Sequence, residues 1–325
     1  MMTASCMGSY GMAPVSEQYR LNIALVAEEG AGLRALKALD ESGHRVAMVL
    51  TSPPDTRKSA LWSYAERRGH CLLPASAVKD AALADIFRKE NVDLLLNVHS
   101  LHVVNGSILE APRIGAFNVH PGPLPRYAGL YAPGWAILRS EHRYGVTVHR
   151  MFAGIDTGPI AYQTLFDLTE SDTAFSVGLR CVEEGLSLLS TLVAAAALDP
   201  ASIPHIEQDL TMREYFGRVI PEGGTLSWDR PAADVDRFVR AFCYFPFPSP
   251  WGAPKTRAGT REIGIVKTSP TGEPSSAPPG TIETMPGGEV WAACADAWLR
   301  LEVITVDGRR VPPATALSAG DRLGA

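Results

Sequence analysis

Three short apolar runs constrain this chain most: Leu21–Ala27 (LNIALVA), Arg45–Leu50 (RVAMVL) and Val92–Val98 (VDLLLNV). Each is too short for a core helix and almost free of polar alternation, the pattern of a strand buried on both faces. Helix-spaced segments lie between them. Leu33, Leu36 and Leu39 recur within Gly30–Ser42, and Gly43 stops that helix. A second helix is expected to about Arg68, then a short strand at Cys71–Leu73 and a helix over Asp80–Lys89. Val146–Met151 and Pro159–Phe166 read as two more strands, and Asp172–Leu198 as a long helix ended by Pro200. Strand-helix alternation of this kind predicts an α/β fold with a doubly wound, mostly parallel, Rossmann-like sheet. Ligands of such sheets sit beyond the carboxyl ends of the strands, where His99–Val104 and Asn118–Pro125 are expected.

From Ile203 the texture changes. Ala232–Phe242 is a short amphipathic helix, and Tyr244–Pro254 holds too many prolines for a helix or central strand. Strand-like runs follow at Arg261–Lys267, Gly280–Thr284, Val290–Cys294 and Trp298–Val306, with an exposed loop expected between the first two. This predicts a small, OB-like β-barrel. A length of 325 residues fits two domains, 21–200 and 201–325, after a disordered tail over 1–20.

A net charge of -5 implies no strongly basic surface, so a nucleic-acid partner is not expected. Five scattered cysteines without a C-x-x-C pair fit a reducing, cytoplasmic setting. No run reads as long and apolar enough for a membrane span. Gly30-Ala31-Gly32-Leu33-Arg34-Ala35 spells a dinucleotide fingerprint, but Glu28 and Glu29 stand where a pyrophosphate would settle. His99 and His102 spell H-x-x-H without a following Glu base or a third ligand in spacing, so no metal is expected.

The chemistry gathers between Asn118 and Asp156. His120 titrates near neutrality and is the natural proton acceptor. Asn118, two positions earlier on an extended segment, points the same way and can donate to a developing oxyanion. Asp156, in a GIDTG turn, can orient and support the imidazole. Pro121, Pro123 and Pro125 stiffen the loop between. Each residue alone also has a purely structural reading, as a local backbone partner or turn former.

Asn118-Val119-His120-Pro121, Leu124-Pro125, Gly145-Val146-Thr147-Val148-His149 and Asp156-Thr157-Gly158 closely resemble the formyltransferases that use 10-formyltetrahydrofolate. The resemblance covers roughly 21–198 strongly. It continues more weakly through Tyr215–Arg218 and Gly224–Trp228 into the small barrel of the two-domain members. It implies that Asn118, His120 and Asp156 are the catalytic residues. It further implies that the folate donor contacts His102, Val103 and Val104, the loop Gly122, Pro123, Leu124 and Pro125, and the segment Phe152, Ala153, Gly154 and Ile155. The usual loop form is Ser-Leu-Leu-Pro, so Gly122 and Pro123 depart from it.

Among family members, the barrel disfavours single-domain glycinamide-type transferases and formyltetrahydrofolate hydrolase. Residues 203–325 hold 13 Lys/Arg against 15 Asp/Glu, which disfavours methionyl-tRNA. Only Asp55-Thr56-Arg57-Lys58 stands where tRNA enzymes carry a basic insertion. The expected reading is an N-formyltransferase acting on a small amine or hydroxylamine: a specialised metabolite, a siderophore precursor or a nucleotide-linked amino sugar. Hydrolysis of the donor and a non-catalytic folate-binding module remain alternatives. Tyr127 and Tyr131 are candidates for the acceptor pocket, and Trp135 for core packing.

Overall fold

The computed structural model describes residues 19–53 and 59–324. The N-terminal sheet takes β1 (Asn22–Ala27), β2 (Arg45–Thr51), β3 (Leu72–Pro74), β4 (Leu94–Val98) and β5 (Gly115–His120). After a two-residue strand outside it, β6 (Ala128–Gly129), the sheet gains β7 (Arg143–Arg150) and β8 (Ile160–Asp167). Its order is β3-β2-β1-β4-β5-β7-β8, so strand order reverses between β1 and β4. The pairs from β3 to β5 are parallel; β7 and β8 run antiparallel.

Seven helices accompany the strands among the described residues: α1 (Glu29–Glu41), α2 (Ala60–Arg67), α3 (Leu83–Lys89), α4 (Gly106–Leu109), α5 (Ala132–Leu138), α6 (Ala174–Leu198) and α7 (Ala232–Phe242). Ile23, Leu25 and Ala27 pack with Leu36 of α1 and Leu192 of α6. Ala24 and Val26 pack on the other face with Phe87 of α3 and Ile108 of α4. The same period of two runs along β5. Phe117 joins the α6 side and Ala116 the α3 side, so Asn118 and His120 follow Ala116 onto the α3 face.

Helix α6 opens on a capping box between Thr173 and Ser176. By length and hydropathy it could cross a membrane, which corrects the sequence expectation that no run qualifies. Its Val177, Cys181, Leu189, Leu192 and Val193 are instead buried on the protein's own core. Burying each larger aliphatic among them is worth about 1.5–3 kcal/mol.

The C-terminal part begins with β9 (Tyr215–Phe216), which pairs in parallel with β6. A curled antiparallel sheet follows: β10 (Lys255–Ala258), β11 (Arg261–Pro274), β12 (Ile282–Thr284), β13 (Val290–Ala293), β14 (Ala297–Val306), β15 (Arg309–Val311) and β16 (Leu323–Gly324). Its order is β12-β13-β14-β11-β10-β16. A bridge between Thr281 and Arg322, with Ile282 N–H donating to Asp321 O at 2.8 Å, brings the two edges together. Strand β11 extends to Pro274, where the sequence predicted a loop. The ladder shifts register between Pro270 and Pro274, where a missing N–H matters least.

The amino-terminal part departs from expectation at one helix start and at the point where the described chain begins. The expected helix over Asp80–Lys89 is regular only from Leu83. Of the expected tail, residues 1–18 lie outside the described residues, as do Asp55 to Lys58. Tyr19 is docked: its N–H donates to Ala197 O at 3.2 Å and its hydroxyl accepts from Arg113 at 2.6 Å. The fingerprint-like turn is closed by Glu28, whose carboxylate accepts from Ser52 N–H, the Ser52 hydroxyl and the Thr51 hydroxyl.

Candidate active site

Strand register assembles this site. Asn118 is the partner of Asn97 on β4 and of His149 on β7. His120 is the partner of Thr147, which is the partner of Gln163 on β8. Register partners share a face, so two polar rows cross the α3 face of the sheet: Asn97-Asn118-His149 and His120-Thr147-Gln163.

The loop after β7 folds back and lays Asp156 over these rows. Asp156 sits at φ 54°, a left-handed conformation that Asp tolerates better than most residues. Its Oδ2 accepts from Gly129 N–H at 2.8 Å and lies 3.5 Å from His120 Nδ1. Its Oδ1 lies 3.4 Å from His149 Nε2. The Asn118 amide is 3.1 Å from the same His149 nitrogen. Asn118, His120 and Asp156 are therefore brought together, with His149 between the first and the last.

His120 Nε2 is 2.7 Å from the carbonyl oxygen of Tyr127. A carbonyl only accepts, so Nε2 carries the proton and Nδ1, beside Asp156, is the basic nitrogen of the neutral ring. The orientation expected from Asp156 is thus supplied by the Tyr127 backbone. Burial depresses the His120 pKa, against the opposing pull of Asp156 and the Tyr127 carbonyl, so the ring is neutral at neutral pH. Burial alone would raise Asp156. The charge of His120, the hydrogen bond and charge of His149, and Gly129 N–H outweigh it and hold the carboxyl well below its usual range.

The 121–125 loop is braced from below. The Thr147 hydroxyl donates to Gly122 O at 2.7 Å and accepts from Leu124 N–H at 3.1 Å. Gln163 donates to Leu124 O at 3.0 Å, and the Tyr144 hydroxyl donates to Pro121 O at 2.8 Å. A Cβ at position 122 would lie 2.8 Å from His120 Nε2 and from Tyr127 O, so the serine of the commoner motif has no room here.

The predicted donor segments flank this centre. In the loop after β4, His102 is half-buried, Val104 is buried, and Leu101 and Val103 are 71% and 65% exposed. Ala153 and Gly154 are exposed, as are the side chains of Phe152 and Ile155. Val104 and Met151 share one core cluster with Ala116 of β5, which seats both loops beside Asn118. Large apolar side chains left in solvent on two neighbouring loops suit a flat, partly apolar ligand. Asn97 Oδ1 adds a buried acceptor with no partner.

Tyr127 corrects the expectation that its ring lines an acceptor pocket. The ring is 1% exposed, stacked on Phe216 and edge-on to Tyr144. Its hydroxyl donates to Glu141 at 2.7 Å, and only its carbonyl reaches the site. Tyr131 is half-buried and edge-on to Trp251; Trp135 stacks on Phe216 as core. Sequence reasoning missed Asn97, Thr147, Gln163 and Gln208 as site residues, and used His149 only as a motif letter. The available signal was a lone Asn within an otherwise apolar strand. Gln208 donates to Asp156 O at 3.0 Å and Gly158 O at 2.6 Å, bracing the turn from the segment beyond α6.

Comparison with known proteins adds the following. The formyl transferase family model matches residues 21–193, and the model of the formyl transferase C-terminal domain matches residues 218–322. Methionyl-tRNA formyltransferase of Phenylobacterium zucineum is 31% identical over 247 residues, 74% of this chain and 79% of that protein. The enzyme of that name from Anaeromyxobacter sp. is 28% identical over 313 residues, 93% of this chain and 97% of that protein. Among solved structures, an N-formyltransferase from Helicobacter canadensis in complex with folinic acid and dTDP-3-aminofucose superposes with a TM-score of 0.64. It is 18% identical, over 86% of this chain and 98% of that one. HypX from Aquifex aeolicus in complex with tetrahydrofolic acid gives 0.63 at 16% identity, over 92% of this chain and 47% of that one. At these identities the structural likeness is one of fold.

Proposed function

Because the chain belongs to the formyl transferase family, we propose that it moves a formyl group from 10-formyltetrahydrofolate to the amine of a small biosynthetic molecule. The donor, when bound, supplies an activated formyl carbon. His120 Nδ1 takes a proton from the acceptor amine as its nitrogen bonds to that carbon, and is placed to return it to the departing nitrogen. Asn118 donates to the formyl oxygen as negative charge builds there. Asp156 stabilises the imidazolium that forms between these two proton transfers. Backbone groups of 102–104 and 122–125, with Phe152 to Ile155, would hold the donor rigidly against them.

One observation supports a small acceptor over a tRNA. Of the 13 Lys and Arg in residues 203–325, Arg230, Arg237, Arg240, Lys255, Lys267 and Arg300 each have a carboxylate within 4.0 Å. Each of these six must leave its carboxylate to engage a phosphate, and 15 Asp/Glu leave the stretch net acidic, whereas phosphate binding draws its affinity from cations free to displace counterions. The second reading, formylation of methionyl-tRNA, is favoured by the names of the sequence relatives.

A screen of amines, hydroxylamines and amino-sugar nucleotides with 10-formyltetrahydrofolate, read by mass spectrometry, tests both readings. A gain of one formyl mass on a small acceptor is expected. Formylation of charged initiator tRNA alone would overturn the small-acceptor reading. Formate release without any acceptor would point to hydrolysis instead.

A further inference from the structure

One side of the Asp156 turn is walled by the stretch that leads into β9. Gln208 donates to the Asp156 carbonyl, and Arg213 Nη2 donates to the carbonyl of Ile155, the residue before it, at 3.0 Å. Tyr215 lies over Gly129, whose N–H holds the Asp156 carboxylate: a Cβ on Gly129 would meet the Tyr215 ring at 2.9 Å. Tyr215 is 48% exposed, and the Arg213 guanidinium lies over its ring, 4.9 Å from the centroid.

Arg213 uses little of its own chemistry. A guanidinium carries five N–H donors, and the bond to Ile155 occupies one. Its Nε is buried without an acceptor, and among the described residues no carboxylate lies within 4.0 Å of this half-buried cation. Buried donors are partnered as a rule. The neighbouring Arg126 and Arg139, by contrast, are held by Glu141 and Glu214. Asp156 does not serve Arg213 either, since its carboxylate faces Gly129, His120 and His149. A planar fork that rests on an aromatic face keeps its direction. Its free donors suit an anion with two oxygens, a carboxylate or a phosphate. A neutral or purely cationic acceptor would leave this charge unmatched beside it.

We propose that Arg213 selects the acceptor by binding an oxyanion, carboxylate or phosphate, on the same molecule as the amine that is formylated, with Tyr215 holding the guanidinium plane. This rests on formyl transfer to a small amine and narrows that acceptor to anionic amines. The amine meets His120 at the carboxylate of Asp156, and the anion lies one residue back along the turn, beside Ile155.

The direct test follows the nitrogen-15 signal of the Arg213 Nε–H group in the full-length protein, with and without tetrahydrofolate, assigned by its loss in Arg213→Lys. Three probes are titrated: glycine, an amine with a carboxylate; phosphoethanolamine, an amine with a phosphate; and ethanolamine as its chloride salt, an amine with neither. A saturable shift with glycine or with phosphoethanolamine is expected, and the stronger of the two identifies the anion. No shift with either, or an equal shift with ethanolamine, overturns the proposal. This readout needs no formyl transfer, so its failure is separate from failure of the functional reading. Kinetics supply a second arm, on any acceptor that takes the formyl group. The anionic amine should exceed its uncharged ester in kcat/KM by about tenfold or more, mostly through KM. Arg213→Gln should bring that ratio close to one, and Arg213→Lys, which keeps the charge but not the fork, should hold it in between. Equal losses for the anionic amine and its ester, with the ratio kept, would mean that Arg213 only braces the Asp156 turn and would overturn the proposal.

Discussion

Replacing His120 with Asn keeps a polar side chain but removes the basic nitrogen. We expect kcat to fall by about 10²–10⁴, with the thermal midpoint little changed. An His120→Asn enzyme with wild-type turnover would remove His120 from the mechanism. The direction of its pKa shift sets the pH profile. Protonation silences the base, and burial lowers the pH at which it occurs. The acid limb of kcat/KM should therefore lie below the ordinary imidazole value of about 6.5. A limb at or above that value would mean that water reaches His120. Gly129 is a structural prediction at the same scale. It stands at φ 96°, and a Cβ there would lie 2.2 Å from Phe216 O. Gly129→Ala should destabilise the fold by more than about 1 kcal/mol in urea melts and also displace a donor to Asp156. The meeting of Asn118, His120 and Asp156 was legible in the sequence through the resemblance their motifs carry, and their catalytic roles are what we propose for that cluster. Tyr127 was misread because its burial depends on Glu141 and Phe216, one 14 residues away and the other far along the chain. Asn97 and Thr147 gain meaning only through strands that pair with β5.

Antiparallel β7 is the element that completes the site. It places Thr147 under the 121–125 loop and His149 under Asp156, and a slip of one residue would turn both to the α6 face. Thr147→Val keeps the shape but deletes the hydroxyl that serves Gly122, Leu124 and Gln163. We expect a loss of about 1–3 kcal/mol of stability and a raised KM for the donor. An unchanged donor KM would mean the loop holds its form without this support. Elements with strong periodicity, such as β1, β4, α6 and α7, were legible within a few residues. The pair β6 and β9 was not, since two-residue strands leave no pattern. Nor was the end of β11, where prolines disguise a strand as a loop.

For the whole chain we propose a division near residue 200, but the two parts share one core. Ala132, Ala136, Tyr144 and Val146 pack in the same cluster as Phe216, Phe238, Trp251 and Leu299. A chain ended at residue 200 would expose that face. We expect it to bind hydrophobic dye and to lose a sharp thermal transition; a cooperative melt at the full-length midpoint would show the first part to be self-sufficient.

The parallel pair β6–β9 ties the chain entering the barrel to Gly129, whose N–H holds Asp156. Gln208 and Arg213 grip the opposite shoulder of the Asp156 turn. The carboxylate is thus suspended between two tethers that both run to the carboxy-terminal half. A molecule resting against that half could tune turnover by tightening or slackening them, without touching the acid itself.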